Sequence, residues 1–210
     1  MTILYASFWT ATFRQIIIII IIIIIIIIII IIIIIIIIII IIMDTVQIQH
    51  ALQGVNSFLG VYASDLLPLS IVQTGTIIVN TDPHAESGLH WQAIHFQNPH
   101  RSSSGYFYDS YGRYPHIPSI LDFIRRHCTV WQYNRTQLQG PTTTVCGEYC
   151  CLFALYMGRG YIPQQFVGLL AANDADQRIH QLFCSEFGPT LCRQRSGGQC
   201  CTSLYKRACH

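Results

Sequence analysis

The feature that most limits how this chain can fold is an unbroken homopolymer, 27 consecutive isoleucines from Ile16 to Ile42. About 20 apolar residues are enough to cross a bilayer as a helix, and 27 would cross it with some tilt. Natural spans mix several apolar residue types, however, so the uniform tract favours a translated simple-sequence repeat, with Met43 as an in-frame start. We therefore expect residues 1–42 to be a leader, either foreign to the native protein or a membrane anchor.

Sequence of ordinary composition follows the tract and holds all nine histidines, all nine cysteines and every acidic residue. Its length, residues 43–210, suits one domain with a hydrophobic core of its own. The whole chain carries 12 basic and 10 acidic residues, and this near-neutral balance gives no electrostatic case for nucleic-acid binding. Without a secretory signal, the cysteines predict free thiols in a reducing compartment.

The apolar pattern predicts an α+β domain over residues 43–183, followed by a cysteine-rich tail over residues 184–210. Helices are predicted at 43–60, 118–127, 149–157, 162–174 and 175–187, and strands at 75–81, 90–96, 106–112 and 128–134. A polar loop rich in Pro, Ser and Gly joins the second and third strands as a hairpin. A central helix would then pack on a small mixed, mostly antiparallel sheet. The tail lacks the close cysteine pair that zinc sites prefer, so no metal is expected.

One cysteine stands at the start of the predicted central helix, in the segment QGPTTTVCGEYCCLF. The positive potential of a helix N-terminus favours a thiolate at Cys146, and Gly147 leaves room beside the sulfur for a substrate backbone. Cys150 and Cys151 lie one turn further into the apolar helix, where a thiol is inert. The alternative is packing, because free cysteine is among the residues most often buried.

A thiolate nucleophile needs a histidine base that is itself held by a hydrogen-bonded acceptor. His90 opens the first strand of the predicted hairpin, with Trp91 placed to shield it from water, and Asp109 lies on the second strand. Because the strands of a hairpin lie side by side, we expect these two side chains to meet. His95 is an odd number of residues from His90 and should face the other side of its strand. A lone strand histidine is more commonly a structural residue.

Gln139 lies seven residues before the cysteine and is the fourth candidate. Attack on a carbonyl produces an oxyanion, and a fixed amide NH₂ together with the backbone N–H of Cys146 would stabilise it. The alternative for a lone glutamine is a solvated loop residue.

These segments together resemble the adenovirus endopeptidase (adenain) family of cysteine proteases, which share a fold with the SUMO-deconjugating proteases. The resemblance rests on QGPTTTVCGEYCCLF, GLHWQAIHFQNP, YFYDSYG, FLGVYASDLLP and IIVNT, and it extends from about residue 43 to residue 160. It implies an adenain-like, papain-like α+β fold with Cys146 as nucleophile, His90 as base, Asp109 as the orienting carboxylate and Gln139 as the oxyanion donor. The adenoviral enzymes generally carry Glu where this chain has Asp109, which is the residue of the SUMO-protease relatives.

The resemblance also implies a function, partners and a location. It implies a thiol endopeptidase of virion maturation that cleaves precursor proteins of a virus or mobile element beside glycines in short apolar-Gly motifs. No cofactor is required for the chemistry, but a small activating peptide and DNA are implied as stimulators, although the weak basic excess disfavours DNA. Cys128 falls where the adenoviral enzymes have the thiol that bonds the activating peptide, and the alternative is a buried strand cysteine. The implied location is the virion and host nucleus, or a membrane if residues 16–42 are native.

Two further functions fit the same residues. A protease that deconjugates ubiquitin-like modifiers would use the same four side chains on a different substrate. A catalytically inactive relative would keep the fold to bind a partner protein or DNA.

Overall fold

The computed structural model describes residues 16–34, 43–98, 103–171 and 174–188. The chain divides into two compact units, residues 1–41 and residues 42–210. In the first unit the described residues form one helix, α1 (Ile16–Ile34), which consists only of isoleucine. By length and composition α1 could cross a membrane.

The second unit alternates helices and strands around one sheet. Its elements in chain order are α2 (Thr45–Leu52), β1 (Phe58–Tyr62), β2 (Gly75–Asn80), β3 (Trp91–Gln97), β4 (Ser104–Tyr108), α3 (Pro118–His127), β5 (Val130–Tyr133), α4 (Cys146–Gly158), α5 (Pro163–Leu170) and α6 (Ala175–Phe187). The predicted helix over residues 118–127 is confirmed with the same bounds, because proline at its first position and apolar residues at helical spacing specify it locally.

The first predicted helix, over residues 43–60, is wrong in its second half. Asp44 caps α2 through a capping box with Gln47, and the helix ends at Leu52. The chain then forms β1, in which Gly60 takes a φ of 132° where the pairing register shifts beside β2. Glycine allows this conformation, so Gly60 marks a strand irregularity and not the end of a helix.

The five strands form one mixed sheet in the order β1-β2-β3-β4-β5. The β3–β4 pair is antiparallel, as the predicted hairpin requires, and the β2–β3 pair is antiparallel too, whereas β1–β2 and β4–β5 are parallel. Antiparallel pairs are therefore half of the total and not most of it. The parallel edge pairs follow from the long crossovers, since parallel neighbours cannot be joined by a tight turn.

Two apolar layers cover the two faces of the sheet. On one face Ala93 and Tyr108 pack with α4, whose ten buried residues include fully buried Phe153. On the other face Ile94 and Phe107 pack with the apolar side of α3. Alternate residues of β3 and β4 therefore point to different helices, and the central helix is packed on the sheet as predicted.

The cysteines occupy different environments. Cys150 and Cys151 are free thiols fully buried in α4. Cys184, in α6, is disulfide-bonded, so the expectation of free thiols is wrong for that residue. The expected boundary of the tail at residue 184 falls inside α6, which continues to Phe187, and the tail from residue 189 onward lies outside the described residues.

Candidate active site

The candidate residues lie where the ends of two strands of the sheet meet the central helix. Cys146 is the first residue of α4, His90 directly precedes β3, and Asp109 directly follows β4. Ala93 pairs with Tyr108 in the register of the hairpin, so Asp109 lies beside the start of β3. The hairpin thus brings the histidine and the carboxylate to one end of the sheet, as expected from the sequence.

The two side chains are hydrogen-bonded to each other. Nε2 of His90 lies 2.8 Å from Oδ1 of Asp109, and the exposed fractions of the two side chains are 13% and 0%. Oδ1 also accepts the backbone N–H of Tyr111 at 2.9 Å, while Oδ2 accepts Nε2 of Gln92 at 3.1 Å. A carboxylate held on both oxygens cannot rotate freely, so it fixes the orientation of the imidazole.

A second side chain fixes the backbone of the acid. Oδ1 of Asn134 accepts the backbone N–H of Asp109 at 2.9 Å, and Nδ2 of Asn134 donates to the carbonyl of Asp109 at 2.6 Å. The same amide also donates to the carbonyl of Thr136 at 3.2 Å. Asn134 is buried and lies just beyond β5, so it ties the end of β4 to the following loop.

The imidazole also contacts the sulfur. Burial by itself would lower the pKa of His90, but hydrogen bonds to Asp109 and Cys146, and their negative charges, raise that pKa from 6.5 to about 9. Because Nε2 faces Asp109, Nδ1 is the nitrogen that can bond to the sulfur. The imidazole and the N-terminal end of α4 therefore both place positive charge beside the sulfur of Cys146.

Aromatic rings flank the histidine differently from what the sequence indicated. The ring centroid of Tyr111 lies 4.9 Å from that of His90. The guanidinium carbon of Arg113 lies 4.6 Å from the centroid of the same Tyr111 ring. Trp91, expected as the shield, is buried and donates its indole N–H to the carbonyl of Met43 at 2.7 Å. No local sequence pattern distinguishes Tyr111 for this contact.

Gln139 is buried next to the same site, and both ends of its amide are bonded. Its Oε1 accepts the hydroxyl of Ser110 at 2.6 Å, and its Nε2 donates to the carbonyl of Thr143 at 2.7 Å. Thr143 lies in the loop that leads into α4, so the amide is held against the chain just before Cys146. It is therefore not the solvated loop residue of the alternative interpretation.

Helix α6 holds the loop that carries Gln139. Oδ2 of Asp176 accepts the backbone N–H of Gly140 at 2.9 Å, and Oδ1 accepts the hydroxyl of Tyr149 at 2.9 Å. Asp176, Ser110 and Asn134 were all missed from the sequence. Each is a small polar residue in a loop or on a helix far along the chain, and no local motif distinguishes such residues from solvated ones.

The remaining candidates lie away from this array. Alternation along β3 places His95 on the α4 face of the sheet, where Nδ1 pairs with the hydroxyl of Thr76 at 2.9 Å and burial lowers its pKa to about 4. Cys128 is buried at the C-terminal end of α3 against Gly105, and burial raises its pKa to about 11. This environment corresponds to the packing interpretation of Cys128. Within the described part of the chain, no cluster of three His, Cys, Asp or Glu side chains could hold a metal ion.

Comparisons with known proteins show which solved structures resemble this fold. No protein-family model and no curated protein matches the sequence. The crystal structure of the ASFV pS273R protease aligns with a TM-score of 0.51 and 14% identity, over 70% of this chain and 67% of that one. Its selenomethionine form aligns with a TM-score of 0.43 and 18% identity, over 57% of this chain and 45% of that one. AvrA delL154 with IP6 and CoA aligns with a TM-score of 0.43 and 13% identity, over 72% of this chain and 67% of that one. The chain therefore shares its α+β fold with the ASFV pS273R protease, and the predicted fold class is confirmed.

Proposed function

We propose that this protein is a cysteine endopeptidase of adenain type that cleaves viral or mobile-element precursor proteins at glycine-containing sites. The observation that supports it is the hydrogen-bonded array of Asp109, His90 and Cys146, with the sulfur at the start of α4. In this proposal Cys146 is the nucleophile, His90 the general acid and base, Asp109 the orienting carboxylate and Gln139 the oxyanion donor.

Acylation starts from a thiolate and a protonated imidazole, because a pKa of about 9 keeps His90 charged at neutral pH. The thiolate attacks the carbonyl carbon of a peptide bond, a C–S bond forms, and the carbonyl oxygen takes the electron pair. The backbone N–H of Cys146, which has no partner within the helix, and an N–H of Gln139 donate to this oxyanion. His90 then gives its Nδ1 proton to the amide nitrogen, the C–N bond breaks and the amine leaves.

Deacylation uses the same groups in reverse. The neutral His90 takes a proton from water at Nδ1, and the resulting hydroxide oxygen forms a bond to the thioester carbon. When the second oxyanion collapses, the C–S bond breaks and the carboxylic acid product leaves. The thiolate of Cys146 and the imidazolium of His90 are restored. Asp109 accepts from Nε2 throughout, so the ring keeps Nδ1 directed at the sulfur and substrate.

The substrate, stimulators and location are part of the proposal. Protein precursors are the substrates, and an activating peptide is carried over from the family resemblance together with DNA, whose weak expectation follows from the net charge of only +2. The proposed location is the virion and host nucleus. If α1 is part of the native protein, the alternative is a membrane-anchored protease.

The proposal is tested by comparing thiol reactivity with hydrolysis in the full chain. Iodoacetamide at pH 7 should alkylate Cys146 first, and His90→Ala should slow that reaction at least about tenfold because the thiolate loses its counter-ion. Fluorogenic peptide amides that end in glycine after apolar residues should be cleaved, and Cys146→Ala should abolish cleavage. Cys150→Ala is the matched control, because Cys150 is fully buried in the same helix and burial raises its pKa well above the ordinary value.

Two outcomes would contradict the proposal. If Cys146 reacts no faster than a thiol in the unfolded chain, and no peptide is cleaved, the protein is the inactive relative that binds a partner. If hydrolysis persists in Cys146→Ala, another residue is the nucleophile.

Asp109 favours a second candidate within the same chemistry, a deconjugase of ubiquitin-like modifiers, since aspartate is the residue of those relatives. Modifier proteins with a fluorogenic amide at the C-terminal glycine would separate the two. Cleavage of such an amide, with no cleavage of linear precursor peptides, would support the deconjugase.

A further inference from the structure

Ser110 connects the two halves of the site and has no role in the mechanism above. It directly follows Asp109 and is fully buried. Its hydroxyl donates to Oε1 of Gln139 at 2.6 Å, which is short for a hydrogen bond between neutral groups. Its carbonyl accepts the backbone N–H groups of Leu138 at 2.8 Å and Gln139 at 3.0 Å. One serine thus holds both the main chain and the side chain of the proposed oxyanion donor.

The partners of the Gln139 amide determine its orientation. The carbonyl of Thr143 can only accept a hydrogen bond, so the NH₂ end must face it, and the oxygen end must face the hydroxyl of Ser110. An amide bonded at both ends cannot turn about its terminal torsion. Of its two N–H donors, Thr143 takes one, which leaves the other for a substrate oxygen.

The hydroxyl also changes the electronic character of the amide. A donor on the amide oxygen draws electron density away from the nitrogen, so its N–H groups become stronger donors in a linked chain of hydrogen bonds. Such a preorganised donor stabilises a developing negative charge without having to reorient during the reaction.

We propose that Ser110 is a positioning residue that aligns and polarises the amide of Gln139 for the oxyanion. This inference rests on the proposed protease function. Two consecutive residues at the end of β4 then have separate roles: Asp109 orients the imidazole of His90, and Ser110 orients the oxyanion donor Gln139. A purely structural role for Ser110 would stabilise the fold but would leave the balance between thiolate formation and carbonyl activation unchanged.

The two steps can be measured separately in the full chain. Alkylation of Cys146 by iodoacetamide needs the thiolate but no oxyanion donor, whereas hydrolysis of a fluorogenic peptide amide needs both. For Ser110→Ala we expect an unchanged alkylation rate, a loss of about tenfold in kcat, and a KM within twofold. Gln139→Ala should lose about 100-fold or more in kcat. The double variant should lose no more than Gln139→Ala alone, because Ser110 acts through that amide.

Ser57→Ala is the matched control. Its hydroxyl oxygen is also buried but has no hydrogen-bond partner among the described residues, so its removal should change neither rate. If Ser110→Ala does not give a folded protein, Ser110→Cys serves instead, since a thiol is a much weaker donor of similar size.

The inference would be overturned if the Ser110 variants hydrolyse peptides within twofold of the unmodified protein. It would also fail if the Ser110 and Gln139 effects multiply in the double variant, or if alkylation falls as much as hydrolysis. The proposed function fails by a different result, namely an unmodified protein in which Cys146 shows no His90-dependent alkylation and no hydrolysis.

Discussion

Replacing the carboxylate of Asp109 by an amide tests the charge arrangement of the site most directly. Asp109→Asn keeps the size of the side chain and one acceptor oxygen, but it removes the negative charge beside Nε2 of His90. The NH₂ group of the new asparagine must also replace one of the two carboxylate oxygens, and each of those oxygens faces a donor. In one orientation the NH₂ group faces the backbone N–H of Tyr111 and Nε2 of His90, and in the other it faces Nε2 of Gln92. The variant therefore loses both charge and hydrogen-bond complementarity in a fully buried position.

The magnitude follows from the pKa of His90. Raising that pKa from 6.5 to about 9 corresponds to roughly 3 kcal/mol in favour of the imidazolium, shared between Asp109 and Cys146 and net of the opposing effect of burial. If Asp109 supplies half of that free energy, its loss moves the titration of His90 toward acid by more than about one pH unit. Burial, which favours the neutral ring, is then less strongly opposed.

The assay is the pH dependence of peptide hydrolysis and of Cys146 alkylation. In the unmodified protein, hydrolysis should fall as pH rises through about 9, because His90 then loses the proton that the leaving amine needs. In Asp109→Asn this alkaline limb should begin more than one pH unit lower, so that kcat at pH 8 falls at least about twofold. Asp122→Asn is the matched control, because Asp122 is 70% exposed and pairs only loosely with Arg125 at 3.9 Å. An Asp109→Asn variant whose alkaline limb stays near pH 9 would refute the proposed charge arrangement.

Three other predictions concern the packing and polar contacts around the site. Gly105→Ala should lower the free energy of unfolding by about 1–3 kcal/mol, because the added Cβ meets the sulfur of Cys128, and Cys128→Ala should restore most of it in urea denaturation. Simple additivity of the two changes would contradict the packing role. Asn134→Ala should cost about 1–3 kcal/mol in the same assay, since it leaves the buried N–H of Asp109 unpaired while the carbonyl of Asp109 keeps the N–H of Gly112, and a cost under about 0.5 kcal/mol would contradict this. The lowered pKa of His95 should make the fold less stable as pH falls from 6.5 to about 4, by up to roughly 3 kcal/mol, because the unfolded chain takes up the proton first. His95→Gln should remove that part of the acid sensitivity, and an unchanged pH dependence would show that His95 is not the cause.

Local sequence patterns predicted those parts of the molecule that depend on neighbouring residues. The helix at residues 118–127 and the apolar central helix follow from spacing and flanking Pro and Gly residues. The meeting of His90 with Asp109 followed from hairpin geometry, since alternation and a short loop are enough to align two strands. These features need no knowledge of distant contacts.

The parts that were missed depend on contacts between residues far apart in the chain. The strand β1 lies within a segment with helix-like spacing, and it forms because β2 offers it a parallel partner. The parallel edge pairs likewise depend on crossovers whose direction no local motif specifies. Asn134, Ser110 and Asp176 each bind a group between 25 and 36 residues away. Their identity as polar residues was visible, but their partners were not.

The positions of His90 and Asp109 at the open end of the β3–β4 hairpin have a consequence for divergence in this fold. The pair is far from the point where β3 ends at Gln97 and β4 begins at Ser104, so insertions between those two residues lengthen the chain between His90 and Asp109 without moving either of them. A one-residue deletion within β4 would instead turn the acid toward the wrong side of the sheet. The number of residues between His90 and Asp109 can therefore vary among distant relatives, whereas the strand register that places both on the same side of the sheet cannot. Searches for remote homologues should allow a variable spacing between the histidine and the acid but require that register.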